Sequence, residues 1–183
     1  MRVALIVNRA SGSGTDADAV AAALRDGGAE VQVFDRDELD AARGAQPERL
    51  VVAGGDGSIA PVAALASGLG VPLAVVATGT ANDFARETGL PRDLDAACAL
   101  AADPGARTVT FELARAGERP FVNAASCGLS VVAAHRATPL KPRLGPLAYA
   151  AGALRAGLTG RPVGVRVQIA DGEVVHDGPA WQV

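Results

Sequence analysis

Aromatic side chains are scarce, at 3% of 183 residues. A core must therefore be assembled from Val, Leu, Ile and Ala, which are plentiful. Only two cysteines occur, Cys98 and Cys127. That is too few for a disulfide framework, and a reduced, cytoplasmic setting is expected. The two histidines, His135 and His176, have no second metal-type ligand near them in sequence and read as surface residues. Basic residues (17) do not outnumber acidic ones (20), and the net charge is −3. No general basic field therefore argues for nucleic acid. The apolar run at the N-terminus is too short to span a bilayer and lacks a signal-peptide cleavage pattern. Internal repeats and low-complexity tracts are also missing.

The remaining composition, 49% hydrophobic and 20% charged, is that of a globular chain with one good core and part of a second. Val3 to Val7 reads as a parallel strand buried on both faces. A helix capped by Thr15 or Asp16 should run through Ala29, with Gly27-Gly28 as its stop. Val31 to Phe34 is a second strand, Asp37 to Arg43 a short helix, and Leu50 to Ala53 a third strand. Ser58 is expected to cap a helix through Gly68, with Pro61 in its first turn. Leu73 to Ala77 is a fourth strand, and Asp93 caps a helix through Ala102. Alternating strands and helices imply βαβ units and a parallel sheet.

The texture changes near Thr108. Thr108 to Ser126 reads as a β-hairpin, and Lys141 to Gly157 as a Gly-interrupted helix with Leu144, Leu147, Ala148 and Leu154 as apolar positions. Val163 to Ile169 alternates, as in a strand with one buried and one wet face, and Val174 begins another strand. The division expected is an α/β domain over 1–107 and part of an antiparallel, β-rich second domain over 108–183.

Functional loops of a parallel sheet gather at the carboxyl ends of its strands. Here the first, third and fourth strands all end in small polar loops. The third runs into Gly54-Gly55-Asp56-Gly57-Ser58, more glycine than a turn needs. Glycine lets main-chain N–H groups approach an anion, and a following helix adds its dipole. The ligand expected is a nucleotide phosphate, and a Cβ on Gly55 should intrude on it. The loop is not a Walker A loop, because no Gly-Lys-Ser/Thr follows. Gly79-Thr80-Ala81-Asn82-Asp83 ends the fourth strand. It reads either as a helix-capping cluster or as a second wall, with Thr80 on a phosphate oxygen and Asn82 and Asp83 bracing the glycine loop. Gly12-Ser13-Gly14-Thr15-Asp16-Ala17 fits G-x-G-x-x-A, with Asp35 beyond. However, Asn8 to Ser11 separate it from the strand, against a Rossmann loop. Cys98 reads as a small core residue, and Cys127 has no partner base in view. Lys141, Arg143, Arg155 and Arg161 form either a solvated face or a contact with anionic headgroups.

Together these motifs resemble the diacylglycerol kinase catalytic domain, shared with bacterial lipid kinases and sphingosine kinases. Val7-Asn8-x-x-Ser11-Gly12 is similar to that family's opening motif, with Arg9 where Pro is usual. Gly54 to Ser58 resembles its nucleotide motif, with Ser for Thr. Gly79 to Arg86 resembles its second signature, Phe121-Val122-Asn123 through Gly128 its Phe-x-Asn…Gly segment, and Gly145 to Tyr149 the helix that follows. Ala60-Pro61 stand where Asn-Glu is common.

The resemblance implies an ATP-dependent lipid kinase that uses Mg²⁺ and meets its lipid substrate at the inner membrane face. A homodimer is left open. The implied nucleotide-binding residues are Asn8, Gly54, Gly55, Asp56, Gly57, Ser58, Gly79, Thr80, Asn82 and Asp83. In the family's order the general base and the magnesium residues fall beyond Val183. No residue here receives those roles, and the 183-residue chain is expected to be inactive or nearly so. Two alternatives stay open: an NAD-kinase-like or phosphofructokinase-like enzyme, and a non-catalytic nucleotide-binding module.

Overall fold

Strand β1 (Arg2–Val7) is buried on both faces, and its side chains sort by parity. Val3, Leu5 and Val7 enter one apolar cluster, whereas Ala4 and Ile6 enter another. A period-2 strand covered on both sides must do this. The computed structural model describes residues 1–8, 16–124, 126, 128–140, 145, 147–168 and 172–183. Strands β2 (Glu30–Asp35), β3 (Arg49–Gly54) and β4 (Leu73–Ala77) join β1 in a parallel sheet of order β2-β1-β3-β4. The parallel α/β architecture expected from the sequence is present.

Helices α1 (Ala17–Asp26) and α5 (Leu94–Ala102) cover one face through Val20, Leu24, Cys98 and Ala101. Helices α2 (Leu39–Gly44) and α3 (Asp56–Leu69) cover the other through Ala42, Ile59, Val62 and Leu65. Burial pushes the Cys98 thiol up, with Asp95 adding to it, as suits an inert core residue. Asp16 and Asp93 cap α1 and α5 through their side chains, as expected. Buried Arg49 lies at the other end of α5. Its Nη1 donates to the carbonyls of Ala101 (2.7 Å) and Asp103 (2.9 Å). A cation at a helix C-terminus meets both the orphan carbonyls and the dipole.

Two local expectations change. α3 begins at Asp56, with Gly55 as N-cap, so Ser58 is inside the helix and does not cap it. Pro61 consequently falls in the second turn, where its missing N–H costs the Gly57 carbonyl its helical partner. The hairpin also shrinks, to β5 (Ala114–Ala116) and β6 (Arg119–Phe121) around Gly117 (φ 59°). Pro120 occupies a pairing position and has no N–H to extend the ladder.

The chain divides into two compact units, Met1–Ala124 and Ala125–Val183, so the texture change at Thr108 lies inside the first. In the second unit, α6 (Leu129–Ala137) packs on α7 (Leu147–Thr159), and β7 (Val163–Gln168) pairs antiparallel with β8 (Val174–Ala180). Leu154 does not serve as a core position: it is 67% exposed, whereas Ala148 and Ala156 are buried. The helices meet through small residues, and a Cβ on Gly152 would lie 2.5 Å from the Ala133 carbonyl oxygen. On β7, Val165 and Val167 are half-buried between exposed neighbours, and Ile169 lies outside the described residues. Among the described residues no helix is long and apolar enough to cross a membrane.

Candidate functional site

In the order β2-β1-β3-β4 the chain leaves β1 toward one sheet edge and later returns to its other side at β3. A crevice opens at such a reversal, beyond the carboxyl ends of the strands. Asn8 follows β1 there, and Gly54-Gly55 end β3 beside it. The Asn8 N–H donates to the Ala53 carbonyl (3.2 Å), and its Nδ2 donates to Ser58 Oγ (3.1 Å). Ser58 is 2% exposed. Its hydroxyl therefore ties α3 to the end of β1 instead of facing the crevice. A Cβ on Gly54 would lie 2.8 Å from that hydroxyl oxygen, so the Ser58 side chain occupies the space a larger residue would need.

α3 then starts with Asp56 and Gly57. Their N–H groups precede the first intrahelical acceptor, while the Ser58 N–H turns back to the Gly55 carbonyl (2.9 Å). Gly57 is exposed, and a Cβ there would meet nothing within 4 Å. The start of α3 thus presents main-chain donors and the positive end of a 14-residue helix to open space.

The second loop lies directly on the first. The Thr78 N–H donates to the Gly54 carbonyl (3.1 Å). A Cβ on Gly79 would lie 2.5 Å from Gly55 Cα, and one on Gly55 would lie 3.2 Å from Gly79 Cα. This corrects the expectation for Gly55. A side chain there strikes the neighbouring loop, and it is Gly57 whose missing side chain faces open space. Asn82 takes the left-handed conformation (φ 50°). Its Oδ1 accepts from the Gly79 N–H (2.9 Å), and its Nδ2 donates to the Gly79 carbonyl (2.8 Å). Asn82 therefore closes its own turn and does not reach the glycine loop.

The brace between loops is Asp56. Its Oδ1 accepts from the Phe84 N–H (2.9 Å) and from Asn123 Nδ2 (3.2 Å), and its Oδ2 accepts from the Asp83 N–H (3.1 Å). One carboxylate caps α4 (Asp83–Glu87) while its own main chain opens α3. Burial pushes this carboxyl up, but the hydrogen bonds from Phe84, Asp83 and Asn123 outweigh that and hold it below the usual carboxylate range. The Asp83 carboxylate turns outward to Arg86, 2.6 Å away. Thr80 is exposed and makes no hydrogen bond among the described residues.

Eight of the ten expected residues thus form one hydrogen-bonded and packed set, with Gly57 and Thr80 exposed beside it. The sequence did not single out Asn123 for the site; the signal was its place in Phe121-Val122-Asn123. Ser11, Gly12, the G-x-G-x-x-A stretch before Asp16, Cys127, Lys141 and Arg143 lie outside the described residues. No group of three His, Cys, Asp or Glu side chains among the described residues could hold a metal. With Asp56 and Asp83 both engaged, the described residues do not fit a resident Mg²⁺ site.

The fold and this edge define a parallel α/β domain with paired glycine loops at the strand-order reversal, offering main-chain donors to an anion. Residues 2–113 match the family described as "Diacylglycerol kinase catalytic domain", and the chain belongs to that family. It is 38% identical over 168 residues to a Pseudomonas aeruginosa protein named "Probable lipid kinase YegS-like", covering 86% of this chain and 53% of that protein. A Citrobacter koseri protein of the same name is 34% identical over 139 residues, covering 69% of this chain and 46% of that one. The chain spans about half the length of the curated relatives it matches. The crystal structure of a diacylglycerol kinase from Bacillus anthracis str. Sterne shares the fold, with a TM-score of 0.65 at 22% identity over 99% of this chain and 62% of that one.

Proposed function

We propose that the chain binds ATP at the paired glycine loops and forms the nucleotide-holding part of a lipid kinase that moves the γ-phosphoryl group to a lipid hydroxyl. The observation that carries this reading is the start of α3, where exposed Gly57 leaves open space at the positive end of the helix. Main-chain donors there would take phosphate oxygens without a lysine. Thr80 would add a hydroxyl. Asn8, Ser58, Asn82 and Asp56 would position the loops through the bonds described above. Mg²⁺ would arrive on the nucleotide's own phosphates as part of the substrate.

Phosphoryl transfer depends mainly on positioning and charge neutralisation, and a pre-formed donor cradle supplies both. The acceptor hydroxyl also needs a proton acceptor, and no described side chain is assigned that role. A lipid acceptor implies work at a membrane surface, and the setting proposed is the cytoplasmic face.

Calorimetry of ATP on the 183-residue chain tests the binding. Phosphate transfer to diacylglycerol, a sphingoid base or NAD then tests the acceptor. No ATP binding removes the reading. Binding without transfer to any acceptor favours a non-catalytic module, and transfer to NAD favours the NAD-kinase-like alternative.

A further inference from the structure

We infer that Asn123 is a positioning residue for the phosphate site, acting through Asp56, an inference that rests on the proposed ATP site. The Asp56 carboxylate belongs to the first residue of α3, so any negative charge its partners leave uncompensated would repel a phosphate bound at that helix start. Besides its own main-chain N–H, three donors from other residues compensate it. Two are main-chain N–H groups of α4, and the third is the Asn123 amide, 67 residues away in sequence and 3.2 Å away in space. Asn123 is the only one of the three that a substitution can remove. Its bond falls on Oδ1, which also takes the Phe84 N–H, so it fixes the plane of the carboxylate as well as its charge. The nearest ionisable groups on the facing helix are already occupied: Asp83 pairs with Arg86 at 2.6 Å, and Glu87 lies 3.5 Å from the same guanidinium. Asp83 and Glu87 are acceptors, and Arg86, the one donor among them, is already paired with both.

The test is ATP calorimetry on the 183-residue chain, with adenosine as the ligand that lacks phosphate. Asn123→Ala should weaken ATP about two- to tenfold, the scale of one ordinary hydrogen bond, and leave adenosine unchanged. Asn123→Asp gives a readout that a merely structural role would not move. Ionised, it sets a second carboxylate against Asp56. Protonated, its O–H donates as the amide did. Its ATP affinity relative to wild type should therefore be poor at pH ~8 and recover toward pH ~5, because each carboxylate makes its neighbour easier to protonate. Equal ATP affinity of wild type and Asn123→Ala, or a loss in Asn123→Asp that ignores pH, overturns the inference and leaves the ATP site standing. A wild-type chain that does not bind ATP removes both.

Discussion

Gly79→Ala should cost both stability and ligand binding, because the methyl has no room on the side where it must point. It would sit 2.5 Å from Gly55 Cα, 2.8 Å from Asn82 Oδ1 and 3.2 Å from the Gly55 nitrogen. Ordinary Cβ contacts begin near 3.4 Å, so the loops would have to part by nearly an ångström. Two of these three neighbours are main-chain atoms, which cannot swing aside as a flexible side chain can. Parting the loops strains the Thr78–Gly54 bond, the Asn82 ring on Gly79 and the reach of Asp56 to α4. Overpacking of this kind costs about 1–3 kcal/mol. In a chain of this size that lowers Tm by about 3–10 °C. The assay is thermal unfolding by circular dichroism, paired with ATP calorimetry. Gly57→Ala is the matched control. Its methyl meets nothing within 4 Å, and Ala suits a helix better than Gly by up to ~1 kcal/mol. It should leave stability equal or slightly raised and still weaken ATP, since the methyl occupies the phosphate approach. A Gly79→Ala protein within about 0.5 kcal/mol of wild type would refute the reasoning about the loop contact, because exposed substitutions free of strain fall in that range. A Gly57→Ala protein that binds ATP normally would refute the placement of the phosphate.

Arg49→Met should destabilise the first unit by about 2–4 kcal/mol, since it removes a buried cation and leaves two α5 carbonyls unmet; urea unfolding with an unchanged midpoint would count against that role. The Asp56 carboxyl is held below its ordinary range, so its contribution is complete above pH ~5 and drains away as pH falls through its folded value, below pH ~4. Asp56→Asn should therefore be less stable at neutral pH and lose less on acidification than wild type, and parallel stability–pH curves would exclude the linkage. Gly152→Leu should drive α6 and α7 apart and destabilise the second unit by more than about 2 kcal/mol. The single tryptophan, Trp181, lies in that unit and reports the transition by fluorescence; a variant with the wild-type midpoint would contradict the close crossing.

The parallel sheet was legible because burial on both faces leaves an unbroken apolar run. Val3 to Val7 and Leu50 to Ala53 could be nothing else of that length, and the loops that follow them carry the glycines. The start of α3 was less legible. Serine is a good cap, yet Gly55 takes the cap position here and Ser58 is drawn inward by Asn8, a partner 50 residues away. Asp56 was read as part of a ligand loop, whereas its carboxylate works on the opposite loop, a role set by distance in space and not by spacing in sequence. α6 carried no clear period, because Val131-Val132 favours strand as much as helix. Of the buried seam of α7 only Ala148 was read; Gly152 and Ala156 were missed because they are small residues that a search for Leu passes over.

A single carboxylate whose main chain begins one helix while its side chain caps another binds the histories of both loops together. Neither loop can be exchanged alone between relatives if the replacement moves Asp56 or the two amides it seats. Grafting Gly54–Ser58 from a relative should fail where the matching Gly79–Phe84 segment is left behind, and succeed when the two are carried across as a pair. Specificity at this edge would then be inherited in one block, even though it is written at two distant places in the chain.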